Sequence, residues 1–125
     1  MRLFKSHKQG IKDGDQRRDF IYVDDAVAVV RWLLDTPAVN GIFNVGTGKA
    51  RSFRDMIIAM FQALGMKPNI EYIDMPESIR EQYQYFTQAE VENLRRAGYN
   101  TGFTSLEDAV GRYVTQYLNR GDRYR

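Results

Sequence analysis

Two motifs on either side of residues 26–43 constrain what this chain can fold into. Residues 18–25 read RDFIYVDD and residues 44–48 read NVGTG. Strand-forming residues lie inside the first motif and directly before the second, and each motif ends in residues that favour a turn or a helix start. Helical spacing between them completes the order strand, helix, strand, which is typical of an α/β domain. We therefore expect an α/β fold with a small sheet of short strands and about four helices.

Local patterns predict the individual elements. Apolar and β-branched runs predict strands over residues 20–23, 42–45 and 70–73. Capping residues and apolar spacing predict the helices. Their expected N-terminal caps are, in chain order, Asp24 or Asp25, Ser52, Thr87 and Thr104. The expected apolar face of the first helix consists of Ala26, Val27, Val30, Leu33 and Leu34.

The length of 125 residues fits one domain. Within it we expect a basic loop over residues 1–18, since the stretch is polar and contains glycines, and a frayed polar tail over residues 119–125. No apolar run approaches the ~20 residues of a membrane span, and the N-terminus lacks the apolar core of a signal peptide. We therefore expect no membrane partner and a cytoplasmic protein.

Composition excludes several classes of site. The chain has no cysteine and a single histidine, His7, which excludes disulfides, thiol chemistry and His-rich metal sites. The net charge of +2 is too small to indicate a nucleic-acid partner. Cations are nevertheless concentrated in residues 1–18. This local excess suits a phosphorylated ligand, and a solvated basic tail is the alternative.

Arg18 follows this basic segment and is a candidate phosphate ligand. A guanidinium presents a planar fork of donors that matches phosphate oxygens and stays charged at any working pH. An ion pair with Asp19 or Asp25 explains its position equally well. The turn over residues 44–48 offers two glycines to a phosphate, but we favour a tight turn with local bonding by Thr47, because no helix begins directly after it.

Two aromatic segments are further candidates. Tyr83 and Tyr85 offer a hydroxyl and a ring face to a sugar nucleotide, although at least one of them is expected in the core. The stretch Phe4, Lys5, Ser6 and His7 combines a ring, a cation, a hydroxyl and an imidazole. Solvation of these polar groups is the simpler alternative.

Taken together, the motifs resemble a known family. RDFIYVDD and GIFNVGTG (residues 41–48) are similar to motifs of the extended short-chain dehydrogenase/reductases that act on nucleotide sugars. YQYFTQAE (83–90) and NLRRAGY (93–99), with LFKSH (3–7), point to the ADP-L-glycero-D-manno-heptose 6-epimerase family among them. The resemblance corresponds to the C-terminal, substrate-binding third of such an enzyme.

The resemblance implies an NADP-dependent isomerase that inverts C6 of the heptose in an ADP-sugar, for lipopolysaccharide biosynthesis. Its chemistry is a transient oxidation by the nicotinamide followed by return of hydride. Carried over by position, it assigns the substrate diphosphate to Arg18. It assigns other substrate contacts to Tyr83, Phe4, Lys5, Ser6 and His7.

Half of the family pattern is missing from the chain. Gly46-Thr47-Gly48 comes closest to the Gly-x-Gly-x-x-Gly motif, but Arg51 occupies the position of the third glycine. The Tyr-x-x-x-Lys motif is also missing, since no tyrosine has a lysine four residues later. We therefore expect no catalytic residue and no cofactor in this chain, which alone is inactive. NADP would be bound by a Rossmann domain absent here, and the expected partners are that domain and an ADP-sugar or related nucleotide sugar.

Two other functions remain compatible with the sequence. The chain is alternatively the same portion of another nucleotide-sugar epimerase or dehydratase, or a stand-alone binding module without catalysis. If the resemblance holds, Phe4, the tip of the 44–48 turn and the 83–85 segment meet on the surface that a cofactor domain covers. We expect the isolated chain to self-associate through that surface.

Overall fold

The computed structural model describes residues 1–119. Its strands are β1 (Arg2–Phe4), β2 (Arg17–Arg18), β3 (Arg51–Ser52) and β4 (Glu71–Ile73). Its helices are α1 (Val23–Asp35), α2 (Phe53–Ala63), α3 (Glu77–Arg80), α4 (Glu92–Arg96) and α5 (Leu106–Tyr113), and α5 continues into a π-helical turn over Val114–Leu118. The predicted α/β class is confirmed. Most of the predicted frayed tail, residues 120–125, lies outside the described residues.

β1 and β4 form a parallel pair, with Leu3 opposite Tyr72. The N–H of Lys5 continues the ladder by donating to the carbonyl of Ile73 at 2.9 Å. The predicted strand near residues 70–73 is confirmed. The prediction of a loop throughout residues 1–18 is wrong at both ends, because β1 and β2 find ladder partners that are remote in sequence.

β2 is held on both edges. It pairs antiparallel with β3, and on the other side the N–H of Arg17 donates to the carbonyl of Tyr85 at 2.9 Å. The N–H of Thr87 donates to the carbonyl of Arg17 at 3.2 Å. The predicted strand over residues 20–23 is wrong, since these residues have no ladder partner in the described chain and Val23 already opens α1.

The start of α1 differs from the prediction. Its N-cap is Tyr22, which makes no side-chain capping bond. The carboxylate of Asp25 instead accepts hydrogen bonds from the N–H of Thr104 at 2.7 Å and from its hydroxyl at 2.9 Å. Asp25 therefore ties α1 to the segment before α5 and leaves the helix end without a side-chain cap.

The buried face of α1 also differs from the prediction. Val29 is fully buried and packs with Leu94 and Tyr99. The partly buried side chains around this cluster are Trp32, Leu33, Phe43 and Phe103. Of the predicted face, Leu33 alone joins the cluster, whereas the exposed members are Val27, Val30 and Leu34. Helical spacing identified one apolar stripe on α1. A second apolar stripe, which includes Val29, runs along the same helix, and it is this second stripe that is buried.

Residues 42–45 were predicted as a strand, and this prediction is wrong for the described chain. They form no ladder with any of residues 1–119, although Phe43 contributes to the cluster around Val29. Ile42 beside it is 92% exposed. The strand-forming sequence is present, but its hydrogen-bonding neighbour is not.

Of the remaining helix caps, one is confirmed and two are corrected. Ser52 caps α2 as predicted, and with Asp55 it forms a reciprocal capping box. The cap of α5 is Ser105, one residue after the predicted position. The cap predicted at Thr87 does not form, because the N–H of Thr87 donates to the carbonyl of Arg17 and the N–H of Ala89 donates to the carboxylate of Asp19. The helix α4 begins only at Glu92.

Candidate functional site

The guanidinium of Arg18 lies between two aromatic rings. Its central carbon is 5.5 Å from the ring centroid of Tyr83 and 5.8 Å from that of Phe53. One of its nitrogens donates to the carbonyl of Arg17 at 2.8 Å. The bond to Arg17 uses only one of the five N–H donors of the guanidinium, so others are available to a ligand.

No carboxylate among residues 1–119 lies within ion-pairing distance of Arg18. The two carboxylates that sequence made possible partners are bonded elsewhere, Asp19 to the 44–48 turn and Asp25 to Thr104. The ion-pair interpretation of Arg18 is therefore wrong for the described chain. A cation held by aromatic faces without a counter-ion is suited to an anionic ligand.

Three aromatic rings form a connected wall beside Arg18. Tyr83 meets Phe4 edge-on at a centroid distance of 6.2 Å and Tyr85 at 5.4 Å. Both tyrosines are half-buried, so the expectation that one of them belongs to the core is wrong. Burial raises the pKa of Tyr83, and the nearby Arg18 partly offsets this effect. The Tyr83 hydroxyl is consequently protonated and able to donate at neutral pH.

The segment from Phe4 to His7 reaches the same wall. Phe4 touches Tyr83, and the N–H of His7 donates to the hydroxyl of Tyr85 at 2.9 Å. The N–H of Ser6 donates to a carboxylate oxygen of Asp13 at 2.7 Å, which folds the loop back on itself. The structure thus brings the predicted segments 4–7 and 83–85 into contact.

Lys5 is the member of this segment that points elsewhere. Its ammonium forms an ion pair with Asp74 at 3.2 Å, and both side chains are largely exposed. Lys8, which the site assignment omitted, lies with its ammonium 5.7 Å from the ring centroid of Tyr85. Lys8 is therefore a cation of this loop that contacts the aromatic wall.

A buried glutamine fixes the backbone of this loop. Gln16 is 2% exposed, and its amide nitrogen donates to the carbonyls of Phe4 and Lys5 at 3.3 and 3.4 Å. Sequence reasoning missed Gln16 and Phe53. Gln16 gave no local signal because its partners lie across a loop, and Phe53 was assigned only to the start of a helix.

Three cavities adjoin the aromatic wall. An open depression of about 390 Å³ is lined by Arg18, Ile79, Gln82, Tyr83 and Gln84. A more apolar cavity of about 450 Å³ has Phe4, Gln16, Phe53 and Tyr83 in its lining. A third, of about 390 Å³, includes Lys12, Arg17 and Tyr85. Tyr83 therefore borders two spaces of different polarity, and Tyr85 borders the third cavity.

The 44–48 turn is bound to Asp19. The Asp19 carboxylate accepts hydrogen bonds from the N–H groups of Thr47, Gly48 and Ala89 at 2.8, 2.9 and 3.1 Å, and from the Thr47 hydroxyl. Burial alone would raise the pKa of Asp19, but these hydrogen bonds outweigh it and lower the pKa below its usual value.

The same turn does not fit a dinucleotide phosphate. The N–H groups of Thr47 and Gly48, which a phosphate would need, are already bonded to a carboxylate. A Cβ on Gly46 would lie 2.5 Å from the Cβ of Ala89, so the turn is pressed against its neighbour. Its glycines serve close packing within the chain. Residues 1–119 also contain no cluster of three or more potential metal-ligating His, Asp or Glu side chains.

Comparison with known proteins decides the family. Residues 4–46 match the family model described as the NAD dependent epimerase/dehydratase family. The chain is 55% identical over 124 residues to ADP-L-glycero-D-manno-heptose-6-epimerase of Nitratidesulfovibrio vulgaris, which covers 99% of this chain. The chain belongs to the NAD-dependent epimerase/dehydratase family. The corresponding enzyme of Fusobacterium nucleatum is 44% identical over 130 residues, again covering 99% of the chain.

Solved structures of this epimerase/dehydratase family share the fold. The crystal structure of the Helicobacter pylori ADP-L-glycero-D-manno-heptose-6-epimerase superposes with a TM-score of 0.69 at 25% identity, over 99% of this chain and 33% of that one. A dTDP-glucose 4,6-dehydratase from Bacillus anthracis, solved with NAD, gives a TM-score of 0.74 at 15% identity over 98% and 36%. The second likeness concerns the fold alone.

The epimerase/dehydratase relatives are much longer than the matched region. This chain spans 38% of the N. vulgaris protein and 39% of the F. nucleatum protein. Within residues 1–119, no helix has both the length and the apolar character needed to cross a membrane.

Proposed function

We propose that this chain is the C-terminal, nucleotide-sugar-binding portion of an ADP-L-glycero-D-manno-heptose 6-epimerase-like isomerase, and that Arg18 binds the diphosphate of the ligand. The observation that carries the proposal is the Arg18 guanidinium, held by the rings of Tyr83 and Phe53 with no carboxylate partner among the described residues. The 55% identity to the N. vulgaris epimerase supports this choice of substrate class.

The residues of the site divide the recognition between them. Arg18 supplies charge and paired donors to phosphate oxygens. Tyr83 offers a protonated hydroxyl and a ring, and with Phe4 it forms an apolar wall against which a sugar or base packs. His7 and Ser6 line the loop whose backbone Gln16 and Asp13 hold in place. In this assignment Lys5 contributes through its loop backbone, since its ammonium is paired with Asp74.

The cofactor of the intact protein is, in this proposal, NADP bound by a dinucleotide-binding domain outside this chain. When bound there, the cofactor would supply a hydride acceptor and donor for a transient oxidation of the sugar. The 44–48 turn does not fit this role, because Asp19 already occupies its N–H groups. This chain's own contribution is to bind and orient the nucleotide sugar, and we propose that it is inactive alone.

A second candidate is the same portion of another nucleotide-sugar epimerase or dehydratase. The shared fold with a UDP-N-acetylglucosamine 4-epimerase of Methanobrevibacter ruminantium, at a TM-score of 0.68, is the observation that favours it. In that case the cavity beside Arg18 in this chain would bind a nucleotide sugar with a different base or sugar. A binding module without any catalytic partner is the remaining possibility.

Titration of the chain with ADP, AMP, ADP-glucose and UDP-glucose, followed by NMR chemical shifts, tests the proposal. We expect ADP and ADP-glucose to shift the amides of residues 4–8 and 83–85 and to bind more tightly than AMP. Preference for UDP-glucose would support the second candidate. Absence of shifts at these residues with every nucleotide would overturn the assignment of the site.

A further inference from the structure

A second polar cavity lies apart from the nucleotide-binding site, and it is named here the Lys49 cavity. Its volume is about 410 Å³, and three cationic side chains line it: Lys49, Arg51 and Arg95. None of the aspartates or glutamates of residues 1–119 belongs to its lining. It shares no lining residue with the three cavities that adjoin the aromatic wall. The cavity is therefore a separate space with a cationic lining.

The charge of Arg51 is already balanced within the chain. Its guanidinium donates to the two carboxylate oxygens of Glu107 at 3.3 and 2.7 Å, and to Asp55 at 3.2 Å. All of its nitrogens are thereby engaged. The cavity's attraction for an anion consequently depends on Lys49 and Arg95.

Arg95 has the same kind of surroundings as Arg18. Its central carbon is 4.9 Å from the ring centroid of Phe103 and 5.7 Å from that of Tyr99, and its Nη1 donates to the carbonyls of Tyr99 and Thr101, both at 2.7 Å. Its Nε and Nη2 donate to no atom of residues 1–119, and no carboxylate of those residues lies within ion-pairing distance. The half-buried guanidinium is thus fixed while several of its N–H donors are unused.

Lys49 supplies a second cation without a counter-ion in the described chain. No carboxylate of residues 1–119 lies within ion-pairing distance of its exposed ammonium. Its backbone is nevertheless fixed, because its N–H donates to the hydroxyl of Thr47 at 3.1 Å and Thr47 is bonded to Asp19. An ammonium carried on an ordered turn binds an anion without the cost of ordering the backbone.

The hydroxyl groups of the cavity are engaged by the chain's own carboxylates. The Thr104 hydroxyl donates to Asp25 at 2.9 Å, and the Ser105 hydroxyl donates to Asp108 at 2.7 Å. A neutral sugar needs hydroxyl and amide partners, and these two donors are already used. An anion instead meets two cations whose charge nothing in the described chain balances. The chemistry of the lining therefore favours a negatively charged ligand over a neutral one.

We propose that the Lys49 cavity binds a small phosphorylated organic molecule, and that Lys49 and Arg95 together bind its phosphate. A phosphate monoester carries a charge of about −1.5 to −2 near neutral pH, which two cations match. The fork of Arg95 presents paired donors to its oxygens, and the rings of Phe20 and Phe103 in the lining offer apolar contact to the organic portion. This site is additional to the nucleotide-sugar site at Arg18 and does not depend on it.

NMR titration of the 125-residue chain with glucose 1-phosphate tests the site, with glucose as the neutral control and with ionic strength held constant by NaCl. We expect saturable shifts of the amides of residues 47–51 and 102–105 with glucose 1-phosphate and none with glucose. The same titration of Arg18→Ala should leave these shifts unchanged. ADP titration tests the nucleotide-sugar site through residues 4–8 and 83–85, so either site can fail without the other.

Two variants and a matched control identify the cations responsible. Lys49→Gln should weaken the binding of glucose 1-phosphate roughly threefold or more, whereas Lys67→Gln, which removes the same charge from an exposed position outside the cavity, should not. Arg95→Lys should also weaken binding, because an ammonium cannot present paired donors, and thermal unfolding checks that this variant is folded. Absence of saturable shifts at these amides, or equal dissociation constants for Lys49→Gln and Lys67→Gln, would overturn the proposal.

Discussion

The carboxylate of Asp19 accepts a hydrogen bond from the backbone N–H of Gly48 at 2.9 Å. With its bonds to Thr47 and Ala89, it joins the end of β2 to the 44–48 turn and to the segment before α4. This carboxylate therefore fixes the position of Arg18, its neighbour in sequence, relative to the segment that carries Tyr83.

Asp19→Asn should lower the free energy of unfolding at pH 7 by about 1.5–3 kcal/mol, because charge-assisted hydrogen bonds are lost and an amide N–H₂ is placed among donors. Urea unfolding measures this change. Asp15→Asn, which removes a partly exposed ion pair with Arg54, is the comparison variant and should have a smaller effect. Equal losses for the two variants would contradict a central role for Asp19.

The stability of the chain should fall on acidification in a way that depends on Asp19. Its pKa is lower in the folded chain than in the unfolded one, so its contribution is complete above the unfolded value of about 3.9 and is lost as the pH falls through the folded value. Unfolding measured between neutral pH and pH 3 should show a shallower acid decline in Asp19→Asn. Part of the acid-induced loss of stability should remain in Asp19→Asn, because the pKa values of Asp55 and Glu107 are also lowered in the folded chain.

Gly46→Ala should destabilise the chain by about 1–3 kcal/mol, as expected for overpacking. The new Cβ would lie 2.5 Å from the Cβ of Ala89 and 2.7 Å from a carboxylate oxygen of Asp19. Gly111→Ala, in α5, is the matched control, since its Cβ would meet no atom within 4 Å and should add about 0.5–1 kcal/mol of helix stability. Melting temperatures that move in the same direction would contradict the packing argument.

Arg18→Ala should weaken ADP binding by about 1.5–3 kcal/mol, through loss of a charge-assisted phosphate contact. Arg18→Lys should restore only part of the affinity, because an ammonium cannot reproduce the planar fork. Calorimetry or NMR titration provides the constants. Arg31→Ala serves as control, as this exposed arginine on α1 is paired with Asp35. Equal affinity in all four proteins would show that Arg18 does not touch the ligand.

The isolated chain should neither bind NADP at micromolar concentration nor epimerise an ADP-heptose in its presence. The N–H groups of the 44–48 turn are bonded to Asp19 and so are withheld from a phosphate. Calorimetric titration with NADP and a turnover assay on the purified chain are the two measurements. Micromolar binding or measurable turnover would show that a cofactor site exists within these 125 residues.

Self-association at the aromatic wall remains a separate prediction from the sequence. Phe4, Tyr83 and Tyr85 cover one another in part, while Phe86 next to them is 60% exposed. Sedimentation across a wide concentration range should show association that Phe86→Ser weakens. A strict monomer would mean that the contacts among the rings already cover this surface sufficiently.

Sequence alone determined the features that depend on neighbouring residues. The capping box of Ser52 and Asp55 needs only a separation of three positions, and the turn at 44–48 needs glycines where the backbone bends. Family motifs also predicted Arg18, Tyr83 and Phe4 as site residues, and the structure places these three side chains in contact through Tyr83. These features can be predicted because they depend on residues close together in sequence or on motifs that the family shares.

Only the tertiary structure decided the features that depend on distant partners. It placed Phe53 against Arg18, directed Asp25 to Thr104 and directed Lys5 to Asp74. It also buried the Val29 side of α1, although the sequence predicts a different apolar face. It left residues 42–45 without a ladder partner among residues 1–119, although the sequence predicts a strand there. The physical reason is that a strand or a buried face exists only where another segment supplies hydrogen bonds or apolar contact, and periodicity carries no information about that segment.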